Sequence, residues 1–131
     1  MNDPENEVYT RVSRVLKQKF PGIRVSSDMT YAQSSYPFCE IVMINDIPVE
    51  RHSDSSGDPY MLCTFRVSVY SNKSTDRKSE AKSIASAVAD WMERRNFRRM
   101  SYGAAPNIDE SIYRHVAVYE VVTDGVHFYR R

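Results

Sequence analysis

From Met61 to Met92 the hydrophobic pattern changes its period once. Met61, Cys63, Phe65, Val67 and Val69 are apolar at every second position and alternate with Thr64, Arg66 and Ser68, the mark of a strand with one buried face. After the turn-like Ser71-Asn72-Lys73-Ser74, the residues Ala81, Ile84, Ala85, Val88, Trp91 and Met92 recur at helical spacing and form one apolar stripe. Asp76 is the predicted N-cap, and Glu80 puts a negative charge in the first turn, where it complements the helix dipole. A strand that feeds a helix lying back on the sheet is the predicted nucleus of the fold.

The same reading extends to both ends. Asp3-Pro4-Glu5 predicts a helix start, with Asp3 as N-cap and Pro4 at the first helical position. Val8, Val12, Val15 and Leu16 give that helix its stripe, and Pro21-Gly22 stops it. Ile23 to Met29 predicts a short strand and Thr30 to Tyr36 a polar loop. Phe38 to Asn45 is almost continuously apolar, which predicts a central strand covered on both faces. Asp46 to Pro59, rich in charge and serine and containing Pro48, Gly57 and Pro59, predicts a long connection, and residues 46–60 are expected to form a mobile loop. Asn96 to Ala105 opens with a short strand or extended turn, and Pro106-Asn107 begins a loop. Ile112 to Thr123 is the last long strand, with Val116, Val118 and Val122 on one face and His115, Ala117, Tyr119 and Val121 on the other. Asp124-Gly125 predicts a hairpin turn into a short strand or pairing arm over Val126 to Arg131. The predicted fold class is α+β: residues 1–131 form one domain, with one mostly antiparallel sheet and two main helices packed on one face.

A chain of 131 residues, 41% apolar and 27% charged, suits a single globular domain. No run approaches the roughly 18 apolar residues of a membrane span, and Met1 to Glu7 lacks a signal-peptide core. The expectation is a soluble protein made in the cytoplasm. Eighteen basic against 17 acidic side chains give a formal charge of +1, which argues against a dedicated nucleic-acid binder, whose affinity comes from neutralising phosphates. The charges are nonetheless segregated. Asp46, Glu50, Asp54 and Asp58 lie in one stretch, and Arg94, Arg95, Arg98 and Arg99 in another. Cys39 and Cys63 read as buried reduced thiols. A hairpin closed around residue 53 sets Cys39 near Val67 and Cys63 near Met43, too far apart for a disulfide.

No catalytic constellation is visible. His52, His115 and His127 stand at no metal-ligand spacing with one another or with the cysteines. His115 reads as a satisfied sheet residue and His52 as a solvated one. The acidic stretch lacks the calcium-loop spacing, and neither a G-x-S-x-G elbow nor a glycine-rich phosphate loop is present. No cofactor, metal or catalytic residue is therefore expected, and no enzyme. The run Arg94 to Arg99 fits either a phosphate-binding patch or solvated charges that complement a helix C-terminus. Tyr113-Arg114 and Tyr129-Arg130 are aromatic-basic pairs of the kind enriched at protein interfaces.

Phe38 to Asn45, the Tyr60 to Asn72 strand ending Val-Tyr-Ser-Asn, Lys78-Ser79-Glu80-Ala81-Lys82, Pro106-Asn107-Ile108-Asp109, Ile112-Tyr113-Arg114 and the final Tyr129-Arg130-Arg131 together resemble small head-tail region proteins of tailed bacteriophages. These are the minor capsid or tail completion proteins, and in particular the tail terminator group of long-tailed phages. The resemblance spans roughly the last two thirds of the chain. It implies a tail-terminator-like fold assembled into a hexameric ring at the head-proximal end of the tail tube. There the ring ends tube polymerisation and joins the tube protein to the neck and head completion proteins. It also implies a virion location, and DNA passing through the lumen without specific binding and with no membrane partner. The residues expected at subunit or partner interfaces are Asp46, Glu50, Asp54, Asp58, Arg94, Arg95, Arg98, Arg99, Tyr129, Arg130 and Arg131. The arginines are expected to face acidic groups of a neighbour or connector. Two alternatives remain: a head completion or stopper protein of the neck, and a small nucleic-acid-binding protein or metal nuclease using the arginine patch with Asp109 and Glu110.

Overall fold

A computed structural model describes residues 3–27, 36–49, 60–106 and 111–130. The elements are α1 (Pro4–Lys19), β1 (Arg24–Ser26), β2 (Phe38–Val49), β3 (Tyr60–Ser71), α2 (Arg77–Arg94), β4 (Arg98–Ala105), β5 (Tyr113–Thr123) and β6 (Phe128–Tyr129). The strands make one six-stranded sheet in the order β1-β2-β3-β5-β4, and β6 pairs with the end of β5. The β1–β2 pair is parallel and the other pairs are antiparallel. This is the predicted α+β class.

Both helices pack on the same face of the sheet. Val8, Val12 and Leu16 of α1 and Ala81, Ile84, Ala85, Val88, Trp91 and Met92 of α2 join one buried cluster with Cys39, Ile41, Cys63, Phe65, Val67, Val69, Ala117, Tyr119 and Val121. The alternation predicted for β3 and β5 thus points the expected side chains at the helices. Small alanines on the α2 stripe let its backbone lie close to the strands. Each fully buried Val, Leu or Ile in this layer contributes roughly 1.5–3 kcal/mol of transfer free energy.

The helix ends differ. At α1, Asp3 is the N-cap as predicted, its carboxylate accepting the Glu5 N–H at 3.0 Å. At α2, Asp76 occupies the cap position in a left-handed conformation (φ 62°) and its side chain makes no capping bond. The first turn is tied down from the preceding strand, where the Ser71 hydroxyl donates to the Glu80 carboxylate at 2.7 Å. The sequence pattern marked the helix start correctly and the capping chemistry wrongly.

Three strand expectations need correction. The strand over Phe38 to Asn45 is buried on both faces only from Phe38 to Val42, and it is not central: β3 occupies the middle of the order. The predicted connection does not begin at Asp46. β2 continues through Asp46, Ile47, Pro48 and Val49, paired with Cys63, Leu62, Met61 and Tyr60. Since β1 reaches only Glu40, this part of β2 is an edge among the described residues, the place where a sheet accommodates proline. Residues 50–59 lie outside the described residues. Finally, the β2–β3 register pairs Cys39 with Val69 and Cys63 with Asp46, with a bulge between Met43 and Asn45. The thiols are buried and free, as expected. They stand six ladder positions apart, roughly 20 Å at about 3.3 Å per residue.

Past β5, Asp124-Gly125 does turn the chain, in a four-residue link to β6. The Asp124 carboxylate accepts the N–H groups of Val126 and His127, both at 2.8 Å, and Gly125 supplies a positive φ of 94°. Those two N–H donors hold the Asp124 carboxyl below its ordinary pKa.

Candidate assembly surfaces

β4 is the outer strand at one side of the sheet, and no described strand pairs with its far edge. It starts immediately after Phe97, and so the basic run is split between two elements. Arg94 ends α2 and is exposed, with no ion-pair partner among the described residues. Arg95 caps α2 and lays its guanidinium over the Trp91 ring, 4.7 Å from the centroid. Arg98 points to the face opposite the helices and reaches Glu120 at 3.6 Å. Arg99 points to the helix face, lies over the Tyr102 ring at 4.6 Å and meets Glu93 at 3.8 Å. The four arginines therefore do not form one patch. The pair Arg98 and Arg99 flanks the start of the open edge, and intramolecular ion pairs hold both without burying them.

The opposite side of the sheet has acidic groups. Beyond the short β1, the outer edge of β2 carries the exposed Asp46, whose carboxylate lies 3.9 Å from the Cys63 sulfur. Beside it the Glu5 carboxylate of α1 accepts the Met43 N–H at 2.7 Å. Burial first, and the Asp46 charge second, push the Cys63 thiol up to about 12; burial does the same for Cys39. Glu50, Asp54, Asp58 and Arg131, also expected at interfaces, lie outside the described residues. Tyr129 stands on β6 with its hydroxyl donating to Asp124 at 3.2 Å and its ring against Tyr60 at 5.8 Å; Arg130 follows it, exposed.

The sheet face away from the helices carries charge as well as apolar groups. Arg66 reaches Glu40 at 3.6 Å, and both Glu40 and Glu120 are buried. One row across β1, β2, β3 and β5 stacks Arg24 on Phe38, Phe38 on Tyr70 and Arg114 on Tyr70 at 5.6–6.0 Å. Sequence alternation showed the polar members of this face, and only strand order brings them together across the sheet.

On the helix face, His115 is buried against Tyr102 with ring centroids 4.4 Å apart, and its Nδ1 has no hydrogen-bond partner. The prediction of a satisfied sheet histidine is thus half right. Burial, aided by the Lys82 charge, lowers its pKa. Between α2 and β4 runs an open polar groove of about 830 Å³ lined by Asp76, Lys78, Ser79, Lys82, Ser83, Ser86 and Tyr102. Among the described residues no three His, Cys, Asp or Glu side chains gather where they could hold a metal ion, and no helix is long and apolar enough to cross a membrane.

The sequence readings missed Glu5, Ile44 and Met100. The last two are large apolar residues left exposed on strand edges, and the only sequence signal was a broken alternation at each, Met43-Ile44-Asn45 and Arg99-Met100-Ser101.

No protein-family model matches the sequence, and no curated protein matches it. Among solved structures, a chain in the virion of a native gene transfer agent particle is similar in fold, with a TM-score of 0.61 over 86% of this chain and 88% of that one at 14% sequence identity. The two chains share their architecture over nearly their whole lengths.

Proposed function

We propose that this protein is a structural virion subunit, a tail terminator or tail completion protein that forms a ring at the head-proximal end of a phage-type tail, stops tube growth and joins the tail to the neck. The observation that carries this reading is the near full-length fold shared with a chain of a gene transfer agent virion. In this reading the protein works by assembly rather than by catalysis, and its partners are copies of itself, the tube protein and the neck proteins.

Immuno-electron microscopy of purified particles tests the proposal, together with deletion of the gene. Label at the junction of tail tube and neck, with overlong or unattached tails in the deletion strain, is the expected result. Label on the portal side, with filled heads that leak DNA, assigns the protein to the head completion role. Absence from the particle, with magnesium-dependent cleavage or shift of DNA by the purified protein, overturns the structural reading in favour of a nucleic-acid role.

A further inference from the structure

We infer that the outer edge of β4 takes up an extended segment of an acidic partner protein as an added strand, with the partner's carboxylates seated in the groove between β4 and α2. The inference goes beyond the structural role above and does not depend on where in a particle the chain sits.

An open strand edge is a template for pairing, and natural sheets blunt their edges with bulges, charge or proline. β4 is blunted only at its start, where Arg98 and Arg99 precede the bulge at Met100. Residues 101–105 then pair regularly with β5, from Ser101 opposite Val118 to Ala105 opposite Arg114, and contain neither charge nor proline. No described strand lies on their far side. In an antiparallel ladder, alternate residues of an outer strand turn N–H and C=O away from the sheet. A Cβ built on Gly103 meets nothing within 4 Å, and the neighbouring Ser101, Ala104 and Ala105 are small. A second backbone therefore has room to approach.

Room for its side chains lies on both faces beside this edge. On the helix face is the groove of about 830 Å³ that runs along α2 to Tyr102. A second hollow of about 330 Å³ follows the strand from Ser101 to Ala105 and reaches Val116, on the face away from the helices. Successive side chains of a strand point to opposite faces, so an added strand fills the two hollows alternately.

The chemistry of the groove selects what enters it. Lys78 and Lys82 lie one helical turn apart, both exposed, and neither is ion-paired among the described residues. The start of α2 adds positive potential at the same end, because Asp76 makes no capping bond to its first-turn N–H groups. Asp76 is the acid that opposes them, and Ser79, Ser83 and Ser86 supply hydroxyl donors. Tyr102 is the floor, its ring held between the Arg99 guanidinium at 4.6 Å and the His115 ring at 4.4 Å. Ammonium and hydroxyl groups recognise carboxylates, while the strand edge beside them recognises a peptide backbone and offers a nucleic acid nothing. Together they select an extended polypeptide with Asp or Glu at every second position and apolar residues between, recognised by strand addition.

Fluorescence anisotropy of the purified protein with labelled octapeptides tests this. One peptide alternates Glu with Val, and a second alternates Lys with Val. Two further Glu-Val peptides carry N-methyl groups, one on every Glu amide and the other on every Val amide. The Glu-Val peptide is expected to bind and the Lys-Val peptide not to. One N-methylated peptide should lose binding and the other keep it, since only alternate amides of a strand face β4. Lys78→Glu with Lys82→Glu should lower the affinity about tenfold at unchanged stability, because each reversal loses an exposed ion pair and adds a repulsion of similar size. No binding of the Glu-Val peptide at millimolar concentration overturns the inference. Binding kept by both N-methylated peptides is charge attraction without strand pairing and overturns the added strand. Preferential binding of a short DNA duplex, lost in the lysine variant, assigns the groove to phosphates and overturns the peptide partner. None of these results bears on the location of the protein in a particle, which decides the terminator reading separately.

Discussion

Phe97 fastens the start of β4 to the rest of the molecule, and removing its ring should be among the most damaging single changes in the chain. It is fully buried in the short link between α2 and β4, with ring centroids 5.8 Å from Phe65, 6.0 Å from Trp91 and 5.2 Å from Phe128. Its N–H donates to the Met92 carbonyl at 3.1 Å, while the preceding Asn96 takes a positive φ of 71° and donates through Nδ2 to the Phe128 carbonyl at 3.0 Å. One side chain therefore joins α2, β3 and β6. Phe97→Ala loses the transfer free energy of the ring and leaves a cavity, about 3–5 kcal/mol, part of it from edge and tilted ring contacts worth about 0.5–1.5 kcal/mol each. Against a total stability of about 5–15 kcal/mol, this is a large fraction. For 131 residues it lowers Tm by roughly 10–20 °C. Phe97→Leu keeps much of the volume and costs about 1–2 kcal/mol. Urea unfolding followed by the fluorescence of the single Trp91 measures both. A loss under about 1 kcal/mol for the alanine variant, at unchanged m-value, refutes the account of Phe97 as the fastening point.

Other outcomes follow from the same packing. Burial keeps His115 neutral in the folded state, with a pKa below its unfolded value; the unfolded chain binds the extra proton first, so stability is intact above about pH 6.5 and falls as pH drops below it. His115→Phe should flatten that fall in urea titrations between pH 7 and 5, and an unchanged slope removes the assignment. Cys39 and Cys63, with thiols pushed up to about 12, should resist alkylation at pH 8 in the native protein and react once urea unfolds it; rapid native labelling contradicts their burial. Glu5→Ala removes a charge-assisted bond to Met43 and should cost about 1.5–3 kcal/mol by denaturation, with faster hydrogen exchange at the Met43 amide as its local signature.

How much of this was legible in the sequence depended on whether the cause was local. Periodicity fixed both helices and the inward faces of β3 and β5, since the spacing of Cys63, Phe65, Val67 and Val69, or of Ile84, Val88 and Trp91, states directly which side meets the core. Strand limits were less legible. Asp46-Ile47-Pro48-Val49 has the composition of a loop, and it is a strand because β3 presents Tyr60 to Cys63 opposite it; a partner 14 or so residues away outweighs local preference. The capping of α2 failed for a similar reason: Glu80 finds its partner in Ser71, on the strand before the helix.

The candidate surface was the least legible part, and the arginines show why. Four basic residues within six positions look like one patch. The turn at Asn96 and the burial of Phe97 send Arg95 onto Trp91, Arg98 to one face of the sheet and Arg99 to the other. What replaces the patch is a pair of edges whose relation no linear pattern contains. Ile44 and Met100 are 56 residues apart in sequence, and their common height follows only from three successive strand pairings and two bulges. An exposed isoleucine or an exposed methionine alone is ordinary on a protein surface. It is the pairing of β2, β3, β5 and β4 in one sheet that relates the two positions, and that pairing is written in no local stretch of the chain.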